Sequence, residues 1–298
     1  MSEYLKEKLR SGVDIEKITP LDFKSYNELL LKIKNDPPPV ILPTPFKKYN
    51  ELIGGYEGGQ LIVIGAPPKQ GKSTFVVSMM YQMAKQNQKT LLFSYEMSWK
   101  EVTRKIEHME RFDGIVPGSI PRPLFLPMEL DRGGDKLQLQ WLLEAIAKAK
   151  ESGVKLIAID HLHFLIPYQE SNNFSIVVGN VVRQIKNLAV MFEIPIILIV
   201  PMKNLQQERK PSFWDIRDSS MIMHEADDVM IMYRARKEAS KKISDTEFDD
   251  DYINFSILSL ELTRREGGKT GKIILFHNGG YFEESDPSIL KMAMQQKI

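Results

Sequence analysis

At 298 residues, with 43% hydrophobic and 27% charged side chains, the chain suits one large α/β domain or a domain with an appendage. The net charge is only +1, so any contact with nucleic acid must come from a local basic surface and not from the overall field. Cysteine is absent, which excludes disulfides and thiolate zinc sites and fits a reducing compartment.

The longest apolar run, Ile194 to Met202, is far too short to span a bilayer. The opening Met1-Ser-Glu-Tyr-Leu-Lys-Glu-Lys8 mixes acids and bases, unlike a secretory signal or a transit peptide. The expectation is a cytoplasmic protein with no membrane contact.

Residues 1–40 read as an arm. Thr19 as N-cap and Pro20 at the first helical position start a helix, with Asp22 near its positive end. Phe23, Tyr26, Leu30 and Ile33 recur at helical spacing, and Leu29 widens the stripe. Asn35-Asp-Pro-Pro-Pro39 then forms a stiff extended linker. The stripe must be buried somewhere, either on its own domain or on a neighbouring subunit. Residues 43–60 lead into the main domain, their glycines supplying turns.

Leu61 to Ile64 is a short apolar strand of the kind buried in a parallel sheet. It delivers Ala66-Pro67-Pro68-Lys69-Gln70-Gly71-Lys72-Ser73-Thr74, which fits the phosphate-binding loop, with Ala66 where Gly is more usual. A buried helix follows through Phe75, Val76, Val77, Met79 and Met80. In this order the loop N–H groups surround phosphate oxygens and the helix adds its positive end. Lys72 is the candidate for the β- and γ-phosphates, and the Ser73 hydroxyl for Mg²⁺. The predicted ligand is a nucleoside triphosphate, with ATP and Mg²⁺ the expected pair.

Thr90 to Ser94 is a second buried strand, and Glu96 follows at its C-terminal end, where open α/β sheets bind ligands. Glu96 is therefore the candidate to orient and polarise an attacking water; the alternative is an acid near the start of the helix from Trp99 to Met109. Residues 111–135 read as loop, with Pro123 to Pro127 a short strand, and a helix is predicted from Lys136 to Ser152. The strand Lys155 to Asp160 ends in an acid, the pattern of a Walker B carboxylate that would hold Mg²⁺ opposite Ser73. His161 and His163 have no third ligand in view and read as packing or hydrogen-bonding residues.

A long amphipathic helix spans Phe174 to Phe192, followed by a buried strand from Ile194 to Val200 and then Pro201-Met-Lys203-Asn204. Trp214-Asp-Ile-Arg217-Asp218-Ser-Ser220 lies in a loop, and Asp228 to Tyr233 is a strand. Arg234 to Asp251 is a highly charged excursion. Tyr252 to Leu262 and Gly271 to Phe276 are two more strands, their turn carrying Arg264 and Arg265, and a polar tail covers 284–298. Helix and strand alternate through most of the chain, which predicts an α/β fold with a mainly parallel twisted sheet covered on both faces.

The chain resembles the ATPase domain of the hexameric replicative DNA helicases of the DnaB type, and also the helicase halves of phage primase–helicases and Twinkle. The likeness runs over roughly residues 41–283. It is carried by Pro43-Thr-Pro-Phe with Gly54-Gly55-Tyr56, by Phe93-Ser-Tyr-Glu-Met-Ser98 and by Leu156-Ile-Ala-Ile-Asp160-His-Leu. Trp214-Asp-Ile-Arg217-Asp218-Ser-Ser220, Ala226-Asp227 and Ile231-Met-Tyr-Arg234 complete it. It implies a RecA-like P-loop core, a hexameric ring, ATP between subunits, single-stranded DNA in the pore, and a primase or loader as possible partner.

On this resemblance Glu96 is the catalytic carboxylate and Asp160 the metal-water acid. Arg217, Asp218 and Ser220 fall where the family's loop grips the DNA backbone. The Arg264–Arg265 pair supplies the arginine finger to a neighbour's site. Phage-type spacing to the Gly268–Gly271 turn puts the finger on Arg265, the expected choice; bacterial-type spacing makes Arg264 the companion base. Pro201 stands where the family has a polar sensor, a role Lys203 or Asn204 would have to take over. The family's helical N-terminal collar has no counterpart here, and the arm resembles its linker helix, which docks on the adjacent subunit. Two other readings stay open: a RecA/RadA-like DNA-dependent ATPase that remodels DNA without unwinding it, and an ATP-switch accessory or loader partner.

Overall fold

The computed structural model describes residues 24–35, 40–128, 130, 137–166, 174–203, 209–236 and 252–295. The chain divides into two units, Met1–Pro39 and Val40–Ile298.

In the first unit, helix α1 (Tyr26–Asn35) has no buried residue, and Tyr26, Leu29, Leu31 and Ile33 are exposed. Ser25 and Glu28 form a reciprocal cap, the Ser25 N–H donating to the Glu28 carboxylate and the Glu28 N–H to the Ser25 hydroxyl. The predicted start at Thr19-Pro20, and Phe23, lie outside the described residues.

The second unit is built in layers. Its described elements are α2 (Lys47–Ile53), β1 (Leu61–Ala66), α3 (Lys72–Lys85), β2 (Thr90–Ser94), α4 (Trp99–Phe112), β3 (Leu124–Phe125), α5 (Leu137–Glu151) and β4 (Leu156–Asp160). A single 3-10 turn (Leu162–Leu165) precedes α6 (Phe174–Phe192) and β5 (Ile196–Pro201). Then come a 3-10 turn (Phe213–Asp215), α7 (Ser219–Glu225), β6 (Asp228–Arg236), β7 (Tyr252–Thr263), β8 (Gly271–His277), β9 (Phe282–Glu284) and α8 (Pro287–Gln295). The strands make one nine-stranded sheet among the described residues, in the order β3-β2-β4-β5-β1-β6-β7-β8-β9. Pairings from β3 to β6 are parallel, and those of β6 to β9 are antiparallel.

Strand β1 is buried at every position, as a parallel strand covered on both faces must be. Leu61 and Val63 face a core with Leu142 and Ile146 of α5 and Val178, Val182 and Ile185 of α6. Ile62 and Ile64 face the other core, filled by Phe75, Val76, Met79, Met80 and Met83 of α3. The mainly parallel α/β sheet expected from the alternation is the fold found.

Three elements escaped the sequence reading. Helix α2 lies in the lead-in segment, with Tyr49 buried. Strand β9 reaches the first residue of the region read as a polar tail, and α8 lies within it, its Leu290 packing against Ala235 and Phe255. Asp286 accepts from the Ser288 N–H and hydroxyl at the start of α8, and Pro287 takes its first position. Most of the charged excursion after Arg236 lies outside the described residues.

A carboxylate ties the phosphate-loop helix to the end of the sheet. Asp113, just past α4, accepts from the Tyr81 hydroxyl at 2.7 Å, the Lys85 ammonium at 2.7 Å and the Tyr281 hydroxyl at 2.9 Å. Burial would raise its pKa, but these donors together hold it below the usual carboxylate range. Asp113→Asn is expected to lower stability by about 1–3 kcal/mol at neutral pH, measured by urea unfolding. Because the folded pKa is the lower one, the stabilisation is present above the unfolded value of about 3.9. The gap between wild type and variant should therefore close as pH falls below that value.

Candidate nucleotide and strand sites

The phosphate loop runs from the C-terminal end of β1 into α3. Gly71 adopts a left-handed conformation (φ 84°) as N-cap of α3, a conformation in which a side chain would be strained. Lys69 is also left-handed (φ 60°). The loop is pinned from outside, since the Gln70 side chain accepts from the Arg234 N–H at 2.7 Å. Lys105 of α4 donates to the Thr74 hydroxyl at 3.3 Å. The first turn of α3 contains no acidic residue, so nothing there opposes an anion at its positive end.

Beside this loop stand the ends of β2 and β4. Ser94 pairs with Asp160 in register, and the Tyr95 N–H donates to the Asp160 carbonyl at 2.6 Å. The turn after β2 brings Glu96 Oε2 to 3.6 Å from Lys72 Nζ and 3.5 Å from the Ser73 hydroxyl. Glu96 takes no part in capping α4. That work is done by Ser98 and Glu101, which form a complete capping box. The alternative reading of Glu96 as a helix-start acid thus has a different occupant.

Asp160 is 1% exposed, and its Oδ1 has no hydrogen-bond partner among the described residues. Burial, with the Glu96 charge adding to it, pushes its carboxyl up to about 6, while Ser73 and Lys72 pull the other way. A buried carboxylate oxygen with nothing to bind is costly, and it suits a cation held jointly by Ser73, Asp160 and phosphates. Among the described residues no group of three or more His, Asp or Glu could hold a metal by itself.

A second group of predicted residues gathers at the end of β5. An isolated bridge joins Met202 to Ile216, and the Lys203 N–H donates to the Asp215 carbonyl at 2.7 Å. The Arg217 N–H donates to the Pro201 carbonyl at 3.4 Å. Asp218, in a left-handed conformation (φ 57°), stands at the N-cap position of α7 without a side-chain capping bond, and accepts from the Ser175 hydroxyl. Arg217, Ser220 and Lys203 are exposed. Buried Asp215 holds the segment in shape through Arg209, whose Nη1 donates at 2.8 Å, and through the Ser212 N–H. Asn204 lies outside the described residues.

The arginine pair stands elsewhere. Ile62 near the start of β1 pairs with Asp228, and the Arg264 N–H donates to the Asp227 carbonyl at 2.8 Å. The phosphate loop begins at the other end of β1, roughly 13 Å away for four extended residues. Neither arginine is therefore placed to serve its own subunit's loop.

The preference for Arg265 as the projecting group does not match its surroundings. Its guanidinium meets the fully buried Asp228 carboxylate at 2.9 and 3.1 Å. It also donates to the Ile53 carbonyl at 3.1 Å, and to the Gly55 carbonyl and Gln60 side chain. Gly55 is required there: a Cβ would stand 2.7 Å from the Leu42 carbonyl. Arg265 is thus tied inside its own subunit, whereas Arg264 is exposed, with one bond to the Met223 carbonyl at 2.6 Å.

The sequence reading missed the Gln70–Arg234 and Lys105–Thr74 contacts, which join residues far apart in the chain and leave no local pattern. The Ser98-x-x-Glu101 cap, by contrast, was present as a motif. Among the described residues, no helix is long and apolar enough to cross a membrane.

The family model described as "DnaB-like helicase C terminal domain" matches residues 42–112 and 131–284. The replicative DNA helicase DnaB of Mycoplasma genitalium is 28% identical over 251 residues, covering 75% of this chain and 52% of the relative. That of Geobacillus stearothermophilus is 24% identical over 254 residues, covering 78% of this chain and 54% of the relative. The chain thus spans about half the length of these relatives. A separately solved ATPase domain superposes with a TM-score of 0.70 at 17% identity, covering 89% of this chain and 100% of that one. A DnaB-like replicative helicase, solved with its interactions with primase, gives 0.68 at 15% identity, covering 95% of this chain and 71% of that one. With the family model spanning most of the second unit and the ATPase-domain fold recovered, the chain belongs to the DnaB-like helicase C-terminal domain family.

Proposed function

We propose that this chain is the motor of a ring-forming, ATP-driven helicase that moves on single-stranded DNA. The observation that carries the reading is the meeting of Lys72, Ser73, Glu96 and Asp160 where β1, β2 and β4 end. The loop from Ala66 to Thr74 binds the phosphates, and Lys72 reaches the terminal ones. Ser73 and Asp160 would hold Mg²⁺, and the chemistry it would supply there is neutralisation of charge on the phosphate oxygens. Glu96 orients the attacking water and accepts its proton. Arg264, the exposed member of its pair, completes a neighbour's site, because the pair lies too far from its own subunit's loop. Six subunits in a ring and docking of α1 on an adjacent subunit follow the family, with a primase or loader as partner.

Lys203, Arg217 and Ser220 grip the strand by its backbone, as exposed cations beside a hydroxyl can, while Asp218 holds the loop that presents them through its bond with the Ser175 hydroxyl. Arg217→Ala should weaken oligonucleotide binding alike for all sequences and reduce the salt slope by about 1, read by fluorescence anisotropy. A loss confined to certain bases would contradict backbone gripping.

The deciding experiment is ATP-dependent displacement of a strand from a forked duplex. Unwinding supports the helicase reading. Pro201, which has no N–H to offer at the end of β5, favours one second reading, a DNA-dependent ATPase that remodels without unwinding. Stimulated hydrolysis without displacement would select that reading.

A further inference from the structure

We propose that the two histidines after β4 couple nucleotide occupancy to the strand loop, His161 sensing the pocket and His163 the Arg217–Asp218 segment. The proposal rests on the reading above of an ATP-driven motor that binds single-stranded DNA. It goes beyond that reading by naming the residues through which the two sites influence each other.

The placement is specific. His161 follows Asp160 directly and lies within electrostatic reach of Lys72 and Glu96. His163, two residues on, lies within reach of Arg217 and Asp218. The two imidazoles touch edge to face, their centroids 6.0 Å apart at 66°. The His161 ring also packs on Phe164 at 4.7 Å, and Phe164 stacks on Tyr95 at 6.2 Å, next to Glu96. Leu162 and Leu165, both fully buried, anchor the 3-10 turn that carries His163 and follows His161 directly.

The chemistry suits a relay of contacts. Burial, with Lys72 beside it, lowers the His161 pKa to about 4; burial and Arg217 lower that of His163. Both rings are therefore neutral at pH 7, each with one donor and one acceptor nitrogen. No change of protonation is needed. The buried His161 Nδ1 has no hydrogen-bond partner among the described residues, an arrangement that favours any ring position satisfying it. When charge in the pocket changes, the His161 ring is biased, and the ring of His163 against it carries the bias to the strand loop. Both residues are positioning residues, since neither is assigned contact with the reacting atoms.

Linkage makes this measurable. If the oligonucleotide tightens an ATP analogue by some factor, the analogue must tighten the oligonucleotide by the same factor. The experiment measures both affinities for the wild-type chain, His161→Gln, His163→Ala and His163→Gln, using a labelled dT oligonucleotide and a non-hydrolysable ATP analogue. A coupling factor that falls toward 1 in His163→Ala supports the proposal if each ligand alone binds within twofold of wild type. Partial recovery in His163→Gln, which keeps a donor and an acceptor, supports it further and replaces the alanine variant if that variant melts early. A wild-type factor preserved in all three variants overturns it. Failure of the wild-type chain to bind the oligonucleotide at all would instead overturn the proposed function.

Discussion

Glu96→Gln is expected to bind ATP and hydrolyse it roughly 10²–10⁴-fold more slowly than wild type, the usual worth of a positioned general base. The amide keeps the size of the carboxylate and can still accept from the Ser73 hydroxyl, 3.5 Å away in wild type, so the pocket keeps its shape. It cannot take a proton from water. Lys72→Ala should lose both turnover and affinity, because it removes the cation from the phosphate loop itself. Steady-state phosphate release and equilibrium nucleotide binding separate the two. Hydrolysis by Glu96→Gln within threefold of wild type would remove Glu96 from its assigned role. Its 3.6 Å contact with Lys72 would then be only an ion pair of the pocket without nucleotide.

Arg265→Ala should be the most destabilising arginine substitution in the chain. It strands the Asp228 carboxylate, which is 0% exposed, and releases the Ile53 and Gly55 carbonyls and the Gln60 amide together. Removing one partner of a buried pair costs about 3–5 kcal/mol. For a domain this size that lowers Tm by roughly 6–20 °C. Arg264→Ala, at an exposed position, should melt within a few degrees of wild type yet lose turnover by about 10³-fold or more. Mixing Arg264→Ala with Lys72→Ala subunits should restore part of the activity, since some interfaces reunite an intact Arg264 with an intact Lys72. If Arg265→Ala instead melts like wild type and is the variant rescued by mixing, the finger returns to Arg265.

The arginine pair marks where sequence reading stopped. Spacing to the Gly268–Gly271 turn could compare the two arginines with family patterns, but it could not reveal that Asp228, on another strand, claims one of them. Such a choice depends on contacts 37 residues apart in the chain. The parallel half of the sheet was legible because its strands are short apolar runs that lead into polar loops at the ligand-binding edge. Thr90–Ser94 and Phe174–Phe192 were bounded as found, and β6 to β8 differ only by a few residues at their ends. Helix α8 was missed although Asp286-Pro287 is the same kind of start signal as Thr19-Pro20. The charged residues around it masked a short stripe from which Leu290 packs against Ala235 and Phe255. Helix α2 was hidden for a related reason: seven residues between glycine and proline clusters look like a turn until Tyr49 is buried.

The outer strands of the sheet are its shortest, two residues in β3 and three in β9. Each offers few backbone rungs of its own for another chain to pair with, although β3 pairs β2 only at Thr90 and Leu91 and β9 pairs β8 only at Leu275–His277. Among the described residues, the two outermost strands are therefore poor templates for continuing one ribbon into the next copy. On the proposed function, an assembly held by side chains and loops meeting across surfaces is one whose contacts can loosen and re-form without unravelling the folded body.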